Sequence, residues 1–318
     1  MKAVAIGVDI GGTNTVIGII DKDGNCLFDT SIPTRGYSDI NDFMKVLHLK
    51  IKESVSNLEE QVDIKGMGIG APNGNFYKGT IEFAPNLEWK GVVNIVEASK
   101  KHLDVPTYLT NDANAAAIGE MIYGGAKGMN DFIMITLGTG TGSGIVANGK
   151  LIYGHDGFAG EVGHVTVIEN GRECGCGKKG CLETYASATG IVRTVFELLA
   201  NSREESILRS ISFNDLSSKK IYNAAIKGDK IANQAFEFTG MILGKCLANS
   251  IAYTSPEAIF LFGGLAQAGN LILEPTNKYM QENVLKIFQH KTKLVLSKLD
   301  GAKAAVLGSS ALVWKELN

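Results

Sequence analysis

The chain has almost no surplus of charge. Its 318 residues carry 31 lysines and arginines against 33 acids, so no broad basic field for nucleic acid is implied and no nucleic-acid partner is expected. No apolar run approaches the roughly 20 residues needed to span a bilayer. The N-terminal MKAVAIGVDIGG has one lysine and a short apolar run cut by glycines and an aspartate. It reads as a buried strand and not as a signal peptide, so a cytoplasmic protein with no membrane partner is expected. The P-loop pattern G-x4-G-K-[ST] is absent, and the one early glycine turn leads into a strand, where a dinucleotide fold needs a helix. There is no low-complexity segment, charge run or linker. Cysteine is scarce, with five in all, and three of these lie together. That excludes a disulfide framework and points to metal ligands in a reducing compartment. Cys26 and Cys246 have apolar sequence neighbours and read as inert.

What is present begins with that cysteine cluster. Cys174, Cys176 and Cys181 fall within the stretch GEVGHVTVIENGRECGCGKKGCLE, with His164 upstream. A Cys3His set suits a tetrahedral zinc whose positions are all filled by protein, so the ion would hold a loop and would not activate water. The glycines around it let the backbone turn tightly. Glu161 and Glu183 flank the loop, and a metal that pins the loop pins both acids. His164 can give one ring nitrogen to the metal and keep the other for a hydrogen bond.

The length suits two domains. Residues 3–10, 16–20 and 26–32 read as strands around the turn Gly11-Gly12-Thr13 and the hairpin signal Asp23-Gly24. A helix over 40–58 and a strand over 64–70 follow. Residues 71–91 read as a long loop with little periodicity, of the kind that is often functional. Next come a helix over 92–102, a strand over 105–109 and an alanine-rich helix over 113–123. Asp112 fits two readings: a helix N-cap, or a carboxylate at the C-terminal end of a strand, where ligands of α/β sheets bind.

Then the opening pattern returns. FIMITL (132–137), GTGTG (138–142), SGIVA (143–147), Asn148-Gly149 and KLIY (150–153) repeat the strand, glycine turn, strand, tight turn, strand order about 130 residues on. Such a repeat is a duplicated domain core. Helices are expected over 184–199, 216–227, 229–253, 272–288 and 303–316, with strands over 258–262 and 294–296. Asp9, with Gly11, Gly12, Thr13 and Asn14, forms a candidate first phosphate site, Asp9 holding Mg2+ through water. Gly138, Thr139 and Gly140 begin a second, and Gly263-Gly264 would admit adenosine.

The layout resembles the actin and hexokinase superfamily, a ribonuclease H-like ATPase fold. The GEVGH and CGCGKKGCLE segments resemble the kinase branch of the ROK family (repressors, open reading frames, kinases), and the likeness runs from DIGGT through GTGTGSG and FGGL to LGSSAL. The resemblance implies two α/β domains with a cleft between them and a structural zinc loop, residues 1–111 with 303–318 forming the smaller and 112–302 the larger. It implies an ATP-dependent hexose kinase and a homodimer. Asp112 would be the general base, accepting the sugar hydroxyl's proton as that oxygen attacks the γ-phosphate. Asn86, Asn111, Asp112, Glu161, His164 and Glu183 would bind the sugar. The family's G-x-P-G loop is GAPNGN here, with an extra residue, so Asn73 and Gly74 are weaker sugar candidates. The wording IEFAPNLEW leans toward glucose kinases, with N-acetylmannosamine and fructose kinases sharing most of the same residues. A repressor needs a helix-turn-helix, and the first strand's start within a few residues of Met1 is expected to leave no room for one. An actin-like ATPase would have no use for the Asn-Asp pair or the zinc stretch.

Overall fold

A computed structural model describes residues 1–299 and 303–317. In chain order the elements are β1 (Lys2–Ile10), β2 (Asn14–Asp21), β3 (Cys26–Pro33), α1 (Ile40–Ser56), β4 (Val62–Gly70), β5 (Gly74–Asn75), β6 (Thr80–Glu82), β7 (Val92–Val93), α2 (Ile95–Lys100), β8 (Thr107–Thr110) and α3 (Asp112–Ile122). There follow β9 (Phe132–Leu137), β10 (Thr141–Ala147), β11 (Lys150–Leu151), α4 (Ala188–Asn201), α5 (Ser218–Ala225), α6 (Lys230–Thr254), β12 (Ala258–Phe262), α7 (Asn270–Asn283), β13 (Lys293–Leu296) and α8 (Ala304–Leu317). The chain forms two compact units, Met1–Met129 with Leu151–Ala159 and Lys298–Asn318, and Asn130–Lys150 with Gly160–Ser297.

The first unit is built on a sheet of order β3-β2-β1-β4-β8. β1, β2 and β3 are antiparallel, whereas β1, β4 and β8 run parallel. Alternation along β1 separates two faces. Val4, Ile6 and Val8 are buried, and Ile6 and Val8 pack with Phe43, Met44, Leu47 and Ile51 of α1. The residues between them are small because α8 lies on the other face: a Cβ on Gly7 would overlap the Val306 carbonyl, and one on Gly68 that of Ser309. The strap 151–159 belongs here too. Tyr153 stacks on Phe76 with ring centroids 4.2 Å apart, and Asn75 Nδ2 donates to the Asp156 carbonyl at 2.8 Å.

The second unit repeats the design with the order β11-β10-β9-β12-β13, β9 pairing antiparallel with β10 and parallel with β12. The duplication read from the sequence is therefore a repeat of sheet topology. Ile133, Ile135 and Leu137 of β9 and Ile259 and Leu261 of β12 share a core with Phe236, Leu243, Leu247 and Ile251 of α6.

Several expectations change. The first unit continues past 111 to Met129 because α3 packs on α8, where the Gly308 Cα leaves no room for a Cβ beside the Ala115 carbonyl. The expected boundary at 302/303 touches residues 300–302, which lie outside the described residues. The loop over 71–91 carries β5 and β6, which with β7 form a small sheet, and α2 is correspondingly shorter than 92–102. The last helix before β13 stops at Asn283, with a separate 3-10 turn at Lys286–Phe288. Cys26 is half-buried and packs against Ile20, Val306 and Leu307, its thiol also donating to the Phe28 carbonyl at 3.4 Å; Cys246 is 3% exposed.

Candidate functional site

In the second unit, the loop between β10 and α4 brings His164, Cys174, Cys176 and Cys181 together, their ligand atoms all within 4.8 Å of one another. Cys174 Sγ stands 3.6 Å from His164 Nδ1, and Cys176 Sγ stands 3.7 Å from Cys181 Sγ. A tetrahedral zinc with Zn–S of about 2.3 Å and Zn–N of about 2.0–2.1 Å has edges of roughly 3.6–3.8 Å. The donor set and these two edges fit zinc. Burial pushes the Cys174 thiol up to about 12, a shift that a cation among the sulfurs would reverse. With Nδ1 turned to the sulfurs, His164 Nε2 faces Glu161, whose Oε2 is 4.0 Å away.

Glu183 reaches from this loop to the second glycine turn. Its Oε2 accepts from the Thr141 N–H at 3.0 Å, and its Oε1 lies 3.6 Å from Cys174 Sγ. Gly140 is glycine because a Cβ there would overlap Glu183 Oε2. The start of α4 closes on the same turn. Ala188 N–H donates to the Gly138 carbonyl, Thr189 Oγ1 to the Thr139 carbonyl, and Thr141 Oγ1 to the Ala186 carbonyl, at 2.8, 2.8 and 2.6 Å. Ser187 caps α4, accepting from the Gly190 N–H at 2.9 Å. Gly263, at φ +101°, follows β12 beside the end of β9, and Leu265 N–H donates to the Leu137 carbonyl at 3.1 Å. The Gly138–Gly140 turn and Gly263-Gly264 thus share one sheet edge.

Sequence reasoning passed over Arg172, the residue that holds the cysteine loop. It is 9% exposed. Its guanidinium donates to Glu197, Thr194 and the carbonyls of Thr184 and Gly190, and stacks 4.4 Å from the Tyr185 ring centroid. Only its place between Gly171 and Glu173 hinted at anything, and that reads as an exposed loop.

In the first unit, Asp9 is in register with Gly70 on β4, and Gly70 with Thr110 on β8. Asp9 and the Asn111-Asp112 pair therefore end parallel strands on one edge, two strand spacings or on the order of 10 Å apart. Asn111 is the cap of α3: its Oδ1 accepts from the Asn114 N–H at 2.7 Å. Asp112 occupies the first helical position, so the N-cap reading of Asp112 is corrected. The residue is exposed, but its carboxylate is crowded by neighbouring atoms and accepts from the adjacent Ala113 N–H at 2.8 Å and from its own backbone N–H. Desolvation raises the Asp112 carboxyl above its ordinary range while that N–H pulls it down. Burial pushes half-buried Asp9 up to about 7, and the charge of Asp112 adds to the rise.

The rest of the first turn is shaped for Asn86. A Cβ on Gly12 would stand 3.0 Å from the Asn86 carbonyl oxygen, and Gly11 N–H donates to the Asn14 carbonyl at 3.0 Å. Thr13 and the Asn86 side chain are exposed. Asn73 and Gly74 serve their own loop. Asn73, at φ 51°, spends its amide nitrogen on the Glu82 carbonyl at 2.9 Å, and Gly74 is buried with its N–H on the Ala71 carbonyl.

The ROK family model matches residues 5–316. The chain belongs to the ROK family. A glucokinase of Halalkalibacterium halodurans is 33% identical, over 98% of this chain and 96% of its own. The solved ROK glucokinase of Streptomyces griseus, in complex with glucose and AMPPNP, is 32% identical with a TM-score of 0.81, over 98% of this chain and 99% of its own. The family also holds regulators: the xylose repressor of Caldicellulosiruptor bescii is 29% identical over 98% of this chain and 78% of its own. This chain has the family's two-unit α/β fold.

Proposed function

We propose that this protein is an ATP-dependent hexose kinase, with glucose as the acceptor. One observation carries the reading: Asn111 takes the capping of α3 on itself and leaves Asp112, an exposed residue, out of the cap, on the strand edge that also holds Asp9. A base that must meet a substrate hydroxyl needs that openness. The full-length likeness to glucokinases supports glucose.

In this reading Asp112 accepts the proton of the hexose 6-hydroxyl. The oxygen forms a bond to the γ-phosphorus as the bond from phosphorus to the ADP oxygen breaks. Asn86 and Asn111 orient the sugar, as do Glu161, Glu183 and His164 through Nε2. Gly12 to Asn14 and Gly138 to Gly140 offer backbone N–H groups to phosphate, Gly11 N–H holding the first turn closed on the Asn14 carbonyl, and Gly263-Gly264 borders the adenosine. Mg2+ with ATP supplies charge neutralisation. Asp9, whose carboxyl burial holds above its ordinary value, gains from a cation nearby. The zinc is structural, and the site holds His164 in the orientation the sugar needs.

ADP release measured across glucose, fructose, mannose, N-acetylmannosamine and N-acetylglucosamine tests this. Glucose-dependent turnover is expected, and release indifferent to every sugar would point to a bare ATPase. A second reading, a sugar-responsive regulator, is favoured by a ROK transcriptional regulator whose structure matches with a TM-score of 0.88 over 100% of this chain and 79% of that one, at 27% identity. Operator binding at physiological salt without sugar turnover would establish it. Among the described residues no helix is long and apolar enough to cross a membrane. A reducing cytoplasm suits the three clustered thiols, and sedimentation should find a homodimer.

A further inference from the structure

We propose that Glu183 is a positioning residue that couples hexose occupancy to the second phosphate turn, acting through the Thr141 N–H. The inference rests on the kinase reading above and adds a function to a residue assigned there only to the sugar.

The turn is tied to the start of α4 at three polar points. Gly138 and Thr139 give their carbonyls to Ala188 and Thr189, and the Thr141 hydroxyl is spent on the Ala186 carbonyl. The Thr141 N–H goes instead to a carboxylate oxygen of half-buried Glu183. Gly140 keeps open the space that oxygen fills. The turn is thus built to lodge an anionic side chain where a phosphate oxygen needs a donor. While Glu183 sits there, it occupies the N–H and repels a polyphosphate. A sugar hydroxyl donating to Glu183 shares its charge and competes for its lone pairs, which frees the Thr141 N–H for phosphate. The hexose would then tighten nucleotide binding, and by reciprocity the nucleotide would tighten hexose binding. ATP would bind poorly to a sugar-free enzyme, which limits its loss to water.

Calorimetric titration of AMPPNP with and without saturating glucose is the test. In the wild type, glucose should tighten AMPPNP about tenfold. In Glu183→Ala the ratio should fall below about twofold, with sugar-free AMPPNP binding tighter than in the wild type. Glu161→Ala removes the other carboxylate assigned to the hexose and leaves Glu183 on Thr141, so it should keep the wild-type ratio at saturating glucose. A readout free of any folding defect is the Thr141 amide resonance of the wild type, which should shift when glucose alone is added. An unchanged ratio in Glu183→Ala, or an amide unmoved by bound glucose, overturns the coupling. If the wild type binds both ligands with no mutual effect, the coupling alone falls. If it binds neither, the kinase reading falls with it.

Discussion

Asp9 and Asp112 end parallel strands of one sheet, and the charge of Asp112 adds to the burial that lifts the Asp9 carboxyl to about 7. The ordinary value is 3.8. Below about pH 3 Asp9 is largely neutral in both folded and unfolded chains. Between there and pH 7 the unfolded chain ionises first, so the folded state becomes relatively less stable as pH rises. Asp9→Asn should therefore stabilise the ligand-free protein by on the order of 4 kcal/mol at pH 8 and by almost nothing near pH 3, while lowering turnover. Thermal unfolding across pH measures the first effect. A variant destabilised at pH 8 would contradict it.

The acid limb of kcat/KM follows from the same pair. Protonating Asp112 removes the base, so activity falls as pH falls, and desolvation raises the value at which this happens. The limb should sit above the usual carboxylate value of about 3.9, as an apparent constant of the Asp9–Asp112 pair. A limb at or below that value would remove the effect of burial.

Asn111 has two separable duties. Asn111→Ala should cost about 1 kcal/mol of stability, through the lost cap on the Asn114 N–H. Asn111→Ser keeps a capping oxygen and loses the amide. It should restore the stability and leave KM for glucose raised. Urea unfolding and sugar titration, read together, separate the two.

Arg172 anchors the cysteine loop to α4 even before a metal is considered. Arg172→Ala should destabilise the protein by about 2–4 kcal/mol, since it leaves the Thr184 carbonyl without its buried donor and removes the bonds to Thr194 and Glu197. Arg172→Lys should recover little, because an ammonium cannot match the fork of the guanidinium. Chemical denaturation checks both.

Metal analysis should find about one zinc per chain, lost in Cys176→Ser, with weaker glucose binding because His164 and Glu183 lose their anchor. Metal-free protein with full glucose affinity would contradict this.

Much of the architecture was legible because it repeats and alternates. The two-residue period of Val4, Ile6 and Val8 and the return of a glycine turn at Gly138 are local patterns. The partner of the small-residue face was not legible, since α8 arrives some 300 residues after Gly7. Strands as short as Gly74–Asn75 have no period to read. The capping of α3 was ambiguous because Asn111 and Asp112 are both good caps standing side by side. The gathering of His164 with the three cysteines could be read from spacing. The tie from Glu183 to Thr141, and the burial of Arg172, depend on chain folding back over tens of residues.

The central claim is that Asp112 is the base that takes the hydroxyl proton of a hexose. Its most direct test is the glucose-dependent rate of ADP release by Asp112→Asn beside the wild type, on protein whose unfolding curve is unchanged. The account expects a fall of roughly 10²–10⁴-fold in kcat. Turnover near the wild-type rate in that variant would contradict it.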